Sequence, residues 1–152
     1  MEALTSGKKS AQLKREILRR YMFNGGESIA DLSRDLGLSV PTLTKIVGEL
    51  IDEDLVINLG KQGATGGRRP SIYGVNPSAG YFMGVDIKRD VIVLGIINFR
   101  GDMVISRQYD FHIVNTRQSF DELCNLISQF IATSRIRREK LLAIGINLSV
   151  RV

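Results

Sequence analysis

Two short clusters hold most of the chemistry this chain offers. The first is "SVPTLTK", where Ser39, Pro41, Thr42, Thr44 and Lys45 stand together. Hydroxyls and one ammonium in such a run are hydrogen-bonding and anion-seeking groups. The second is "GKQGATGGRRP", in which Lys61, Arg68 and Arg69 bracket a glycine-rich run. Cations on a pliant loop suit phosphates or a narrow minor groove. One histidine, His112, and one cysteine, Cys124, leave a Cys/His zinc site without enough ligands and exclude a disulfide within the chain. A lone cysteine fits a reducing cytosol. His112 sits among strand residues and reads as structural. Cys124 lies in an apolar-rich helix and reads as a small packed hydrophobe. No residue is assigned to catalysis or to a metal.

The elements around the first cluster explain its place. Leu13, Ile17 and Tyr21 repeat at helical spacing and predict a first helix over 10–23. "NGG", 24–26, ends it. Ser28 with Asp31 resembles a capping box, and Ile29, Leu32 and Leu36 form one face of a second helix that Gly37 stops. Ser39 caps a third helix whose first turn tolerates Pro41. Leu43, Ile46, Val47 and Leu50 form its inner side; Pro41, Lys45, Gly48 and Asp52 face out, with Thr42 and Thr44 flanking. Two short helices about a Gly-containing turn make a helix-turn-helix, and the start of the second reaches base edges in the major groove. Ser39, or the backbone beside it, is placed to hold a phosphate. "LVINLG", 55–60, and "PSIYGV", 70–75, read as strands flanking the basic loop, so the whole is a winged helix over 1–75. Lys61 then stands at one edge of the wing and Arg68 and Arg69 at the other. A plain protein-interaction module on the same scaffold is the competing reading.

"NPSAG", 76–80, is a turn-rich joint. Three strand-like runs follow, 81–87, 91–98 and 103–113, separated by turns short enough for antiparallel hairpins. Ser119 and Glu122 form a capping box, and Phe120, Leu123, Ile127 and Phe130 mark one face of a helix over 117–134. "RIRREK", 135–140, reads as a solvated helix end. "LLAIGINLSV", 141–150, is a strand apolar enough to be buried on both faces of a completed sheet. The order βββαβ over 81–152 is expected to be the first part of a larger α/β domain that exposes apolar surface at this last strand; a small complete α+β dimerisation domain is the alternative. The fold class is therefore mixed α/β. At 43% apolar residues and net charge +5, the chain can bury a core in each part, and its basic balance favours polyanionic partners without locating them. No apolar run reaches the ~20 residues of a membrane span, so a cytoplasmic location is expected.

The order of parts, with "LSVPTLTKIVGELIDEDLV", "GGRRPSIYGVNPSAGYFMGVDI" and "LLAIGINLSV", resembles the ROK family of repressors, open reading frames and sugar kinases. The resemblance covers essentially the whole chain, and the "GRRP…Y.VNP…G…GVDI" spacing is its most specific part. It implies a winged helix-turn-helix followed by a partial actin-like, ribonuclease-H-like α/β domain. It further implies a transcriptional regulator, mostly a repressor, of sugar-utilisation genes. Such a regulator forms dimers or tetramers, binds a double-stranded operator and answers to a sugar or sugar phosphate. A sugar kinase with an appended N-terminal domain is the alternative within the family. Kinases of the family follow the first strand's Asp with Gly-Gly-Thr, whereas Asp86 here is followed by Lys88, Arg89 and Asp90. Glycines are what let backbone N–H groups close on phosphate oxygens, so Asp86 reads as the remnant of a degenerate phosphate loop. The family's Glu/His sugar ligands and zinc-binding cysteine cluster find no matching positions here. Zinc is accordingly expected only in a longer member, and no cofactor or enzymatic activity is expected of this chain.

Overall fold

A computed structural model describes residues 2–61 and 70–149, with side chains from residue 9 onward. The chain divides into two compact units after Asn76.

In the first unit, α1 (Glu2–Asn24) begins earlier than its apolar repeat suggested and runs through Gly7. It buries Ile17 and Tyr21, one turn apart. Burial pushes the Tyr21 phenol pKa up, and its hydroxyl meets no hydrogen-bond partner among the described residues. Gly25, at φ 80°, turns the chain into β1 (Glu27–Ser28). Ser28 then caps α2 (Ile29–Leu36): its oxygen accepts the Asp31 N–H at 3.1 Å, and its hydroxyl donates to the Asp31 carboxylate at 2.7 Å. The return bond of the capping box thus ends on the serine hydroxyl, since Asp is one methylene shorter than Glu. That bond, with Arg34 beside it, holds the Asp31 pKa below the ordinary carboxylate value. Gly37 closes α2 at φ 64°, in the left-handed region.

Ser39 opens α3 (Val40–Asp52), which buries Leu43, Ile46, Val47 and Leu50. β2 (Val56–Lys61) pairs antiparallel with β3 (Ser71–Val75) through a bulge between Asn58 and Gly60. β1 adds to the other side of β3, giving the order β1-β3-β2. A two-residue strand leaves no alternation to read in sequence; its pairing comes from Tyr73 and Ile72 opposite. Gly26 and Gly74 make room for Leu59: a Cβ on either would lie 2.6 or 2.7 Å from its Cδ1.

The second unit is a meander, β4 (Tyr81–Ile87), β5 (Val91–Asn98) and β6 (Met103–Asp110), then α4 (Arg117–Thr133) and β7 (Leu141–Leu148) parallel to β4. The sheet order is β6-β5-β4-β7. Met83, Val85 and Ile87 of β4 and Ile92, Leu94 and Ile96 of β5 bury against Leu123, Phe130 and Ile131 of α4.

Three sequence expectations change here. The third strand ends at Asp110 instead of Ile113, after the Phe111 N–H turns to the Asp90 carbonyl at 3.1 Å. Thr116, not Ser119, caps α4, accepting the Ser119 N–H at 3.2 Å. Ser119 is buried and its hydroxyl accepts the Val114 N–H at 3.2 Å, while Glu122 takes a bond from Gln118. Phe120 and Cys124, one turn apart, lie on an exposed flank of α4 and so do not pack. β7, in contrast, leaves apolar surface exposed as its sequence led one to expect. It is an edge strand beyond the residues α4 covers, and Leu142, Ile144, Ile146 and Leu148 remain 45–64% exposed.

Candidate nucleic-acid interface

The start of α3 is built from hydroxyls. The Ser39 oxygen accepts the Thr42 N–H at 3.3 Å, and the two side-chain hydroxyls lie 2.8 Å apart. Whichever of them donates, one hydroxyl hydrogen remains to point outward. Pro41 has no N–H and that of Thr42 is capped, so an anion here would meet hydroxyls more than a cradle of backbone donors. Thr44 is placed differently: its hydroxyl donates to the Val40 carbonyl at 2.8 Å, which leaves its methyl as the outward group. Pro41, Thr42, Thr44 and Lys45 are all exposed, as is Val40, which sequence reading passed over. Its only signal was a β-branched apolar residue immediately after a cap.

Charges behind this surface are largely spent on holding it. Lys14 of α1 bridges Glu49 at 2.9 Å and Glu53 at 2.6 Å at the far end of α3. Its hydrogen bond depresses the Glu49 pKa, and Lys45 adds a smaller attraction. Arg20 ties Glu27, at 2.6 Å, and Asp35, joining α1 to β1 and α2. Among the described residues Lys45 makes no ion pair, so its ammonium is available outward. Lys61, the last residue of β2, is exposed. Arg68 and Arg69 lie outside the described residues.

The remaining chemistry-bearing residues are not gathered with these. Asp86 accepts from Asn147 Nδ2 at 2.8 Å and from the Ser149 hydroxyl at 3.4 Å, with Lys88 Nζ at 3.5 Å. Its carboxylate therefore ties the ends of β4 and β7 together. It borders an open cleft over Gly84, Gly95 and Gly145, which align across β5, β4 and β7. His112 is exposed beyond β6 and pairs through Nδ1 with Asp90 at 2.7 Å. No group of three or more His, Cys, Asp or Glu is placed to hold a metal among the described residues, and no described helix is long and apolar enough to cross a membrane.

Comparison with known proteins agrees with this geometry. Residues 11–57 match the family described as winged helix-turn-helix DNA-binding. The chain is 29% identical over 130 residues to the xylose repressor of Bacillus subtilis (strain 168), covering 86% of this chain and 34% of the repressor. It is 27% identical over 125 residues to the DNA-binding transcriptional repressor Mlc of Escherichia coli (strain K12), covering 82% of this chain and 31% of Mlc. A crystal structure of a ROK family transcriptional regulator, a homologue of the E. coli MLC protein, superposes with a TM-score of 0.60 at 21% identity, over 92% of this chain and 35% of that one. The chain thus spans about a third of the length of the curated relatives it matches. The fold thus matches part of a ROK family transcriptional regulator, and the sequence relatives are named as repressors.

Proposed function

We propose that this chain is the operator-binding part of a ROK-family transcriptional repressor of sugar-utilisation genes. The observation that carries the reading is α3: a helix fixed from behind by a closed core and ion pairs, presenting Ser39, Pro41, Thr42, Thr44 and Lys45 outward from a winged helix-turn-helix. Lys45 and Thr42 reach the major groove, and the spare hydroxyl of the Ser39–Thr42 pair donates to a phosphate. Lys61, Arg68 and Arg69 follow the backbone or the adjacent minor groove from the wing. A sugar or sugar-phosphate effector and assembly into dimers or tetramers complete the reading, with zinc only in a longer member of the family. Asp86, tied to Asn147 and Ser149, gives no support to the kinase reading.

The test is binding of the chain to duplex DNA across a salt series. Affinity falls steeply as salt rises, since phosphate-bound cations release counterions. Lys45→Ala costs about 1–3 kcal/mol if it reads a base. Binding that ignores salt, or a Lys45→Ala variant as tight as wild type on every duplex, sinks the assignment and favours a protein-interaction module.

A further inference from the structure

Three features of α3 are unexplained by the packing of the chain itself. Val40 is 48% exposed although it is a β-branched hydrophobe. The Thr44 hydroxyl spends its one proton on the Val40 carbonyl, so Thr44 has no donor to offer outward and its methyl is left to make contact. Gly48 lies mid-helix on the side of Pro41 and Lys45, carries no positive φ, and a Cβ built there meets nothing within 4 Å. Neither conformation nor packing demands that glycine, and glycine weakens a helix interior relative to alanine. What it supplies is a notch.

Together these put an apolar, shallow stretch on the outward side of α3 beside the Ser39–Thr42 hydroxyls, with Lys45 as its described cation. Major-groove edges of adenine, guanine and cytosine offer hydrogen-bonding groups there; thymine alone adds a methyl. We propose that α3 reads thymine methyl groups through Val40, Pro41 and Thr44, and that Gly48 lets the helix axis lie close to the base edges. This rests on the DNA-binding reading above and names the base it selects.

The experiment uses the whole chain and duplexes it enriches from a randomised library. Each thymine of an enriched duplex is replaced in turn by deoxyuridine, which removes the methyl alone. Wild type should lose about fourfold in affinity at the contacted thymines, the equivalent of ~0.8 kcal/mol per buried methyl. Thr44→Ser keeps the bond to the Val40 carbonyl and loses only the methyl. It should bind the thymine duplex about fourfold more weakly and be indifferent to deoxyuridine at its own contact. Gly48→Ala should unfold at higher temperature yet bind DNA more weakly. Deoxyuridine without effect at every position, equal deoxyuridine losses in wild type, Thr44→Ser and Val40→Ala, or a Gly48→Ala variant that binds as wild type would each overturn the inference. If no duplex is enriched at all, the DNA-binding reading falls and takes this one with it.

Discussion

α3 and β7 are both rich in aliphatic residues, and they end in opposite situations. In α3, Leu43, Ile46, Val47 and Leu50 are at most 7% exposed. In β7, Leu142, Ile144, Ile146 and Leu148 are 45–64% exposed on one side of an edge strand. The helix closes its apolar face against α1, α2 and β2, and its first turns leave outside a surface of hydroxyls, methyls and one lysine, with Ile51 and Asp52 exposed at its far end. The strand leaves its apolar face itself outside. An exposed residue therefore carries different information in the two places: on α3 it points to a ligand, and on β7 it points to missing cover.

The largest way to break this contrast is truncation of the same side-chain type in both elements. Leu50→Ala, at 0% exposure, removes buried methyls and leaves a cavity, at a cost of about 2–5 kcal/mol. Ile146→Ala, at 61% exposure, should cost below ~0.5 kcal/mol. Denaturant unfolding of the two variants checks it, and similar losses would mean that β7 is covered in solution. That covering would most simply come from self-association. β7 has no charge or proline along Leu141–Leu148, and its register shift, at Leu142, falls at the start of the strand and leaves the regular stretch from Ala143 unblunted. A second, milder perturbation sharpens the same point: Ile146→Lys should leave stability within about 0.5 kcal/mol while shifting sedimenting mass toward the monomer. A wild type that is monomeric at all concentrations would show that the exposed edge does not self-associate.

How far the sequence reached follows the same division. The boundaries of α2 and α3 were legible because they are local: Ser28, Gly37 and Ser39 act on backbone groups within three residues. The strands β4 and β5 were legible from their continuous apolar runs. β1 was not, because two residues gain their state from Tyr73 and Ile72 far along the chain. The α4 cap was misplaced because Thr116 and Ser119 both satisfy the local pattern, and only tertiary structure sends the Ser119 hydroxyl to Val114. At the candidate interface, sequence gave the residue types but not which atoms face out. The difference between Thr42, whose hydroxyl joins an outward-facing pair, and Thr44, whose hydroxyl turns inward, lies in hydrogen bonds that no spacing encodes.

The smallest expected effect probes the cap that positions the turn before α3. Asp31 accepts from the Ser28 hydroxyl, its strongest pKa-lowering contact, and from Arg34. Its folded pKa is lowered, so the bonded carboxylate stabilises the fold above the unfolded pKa, about 3.9. That contribution fades as pH falls through the lower folded value and the carboxyl is protonated in both states. Asp31→Asn keeps the size and loses the charge. Wild type should therefore unfold at a slightly higher temperature than Asp31→Asn near neutral pH, with the gap closing below about pH 4. The side chain is partly exposed, so solvent screens the pair and keeps the gap small. A gap that stays constant from neutral pH to about pH 3 would assign the effect to packing or helix propensity, and the charge-assisted cap would lose its place in fixing α2 ahead of α3.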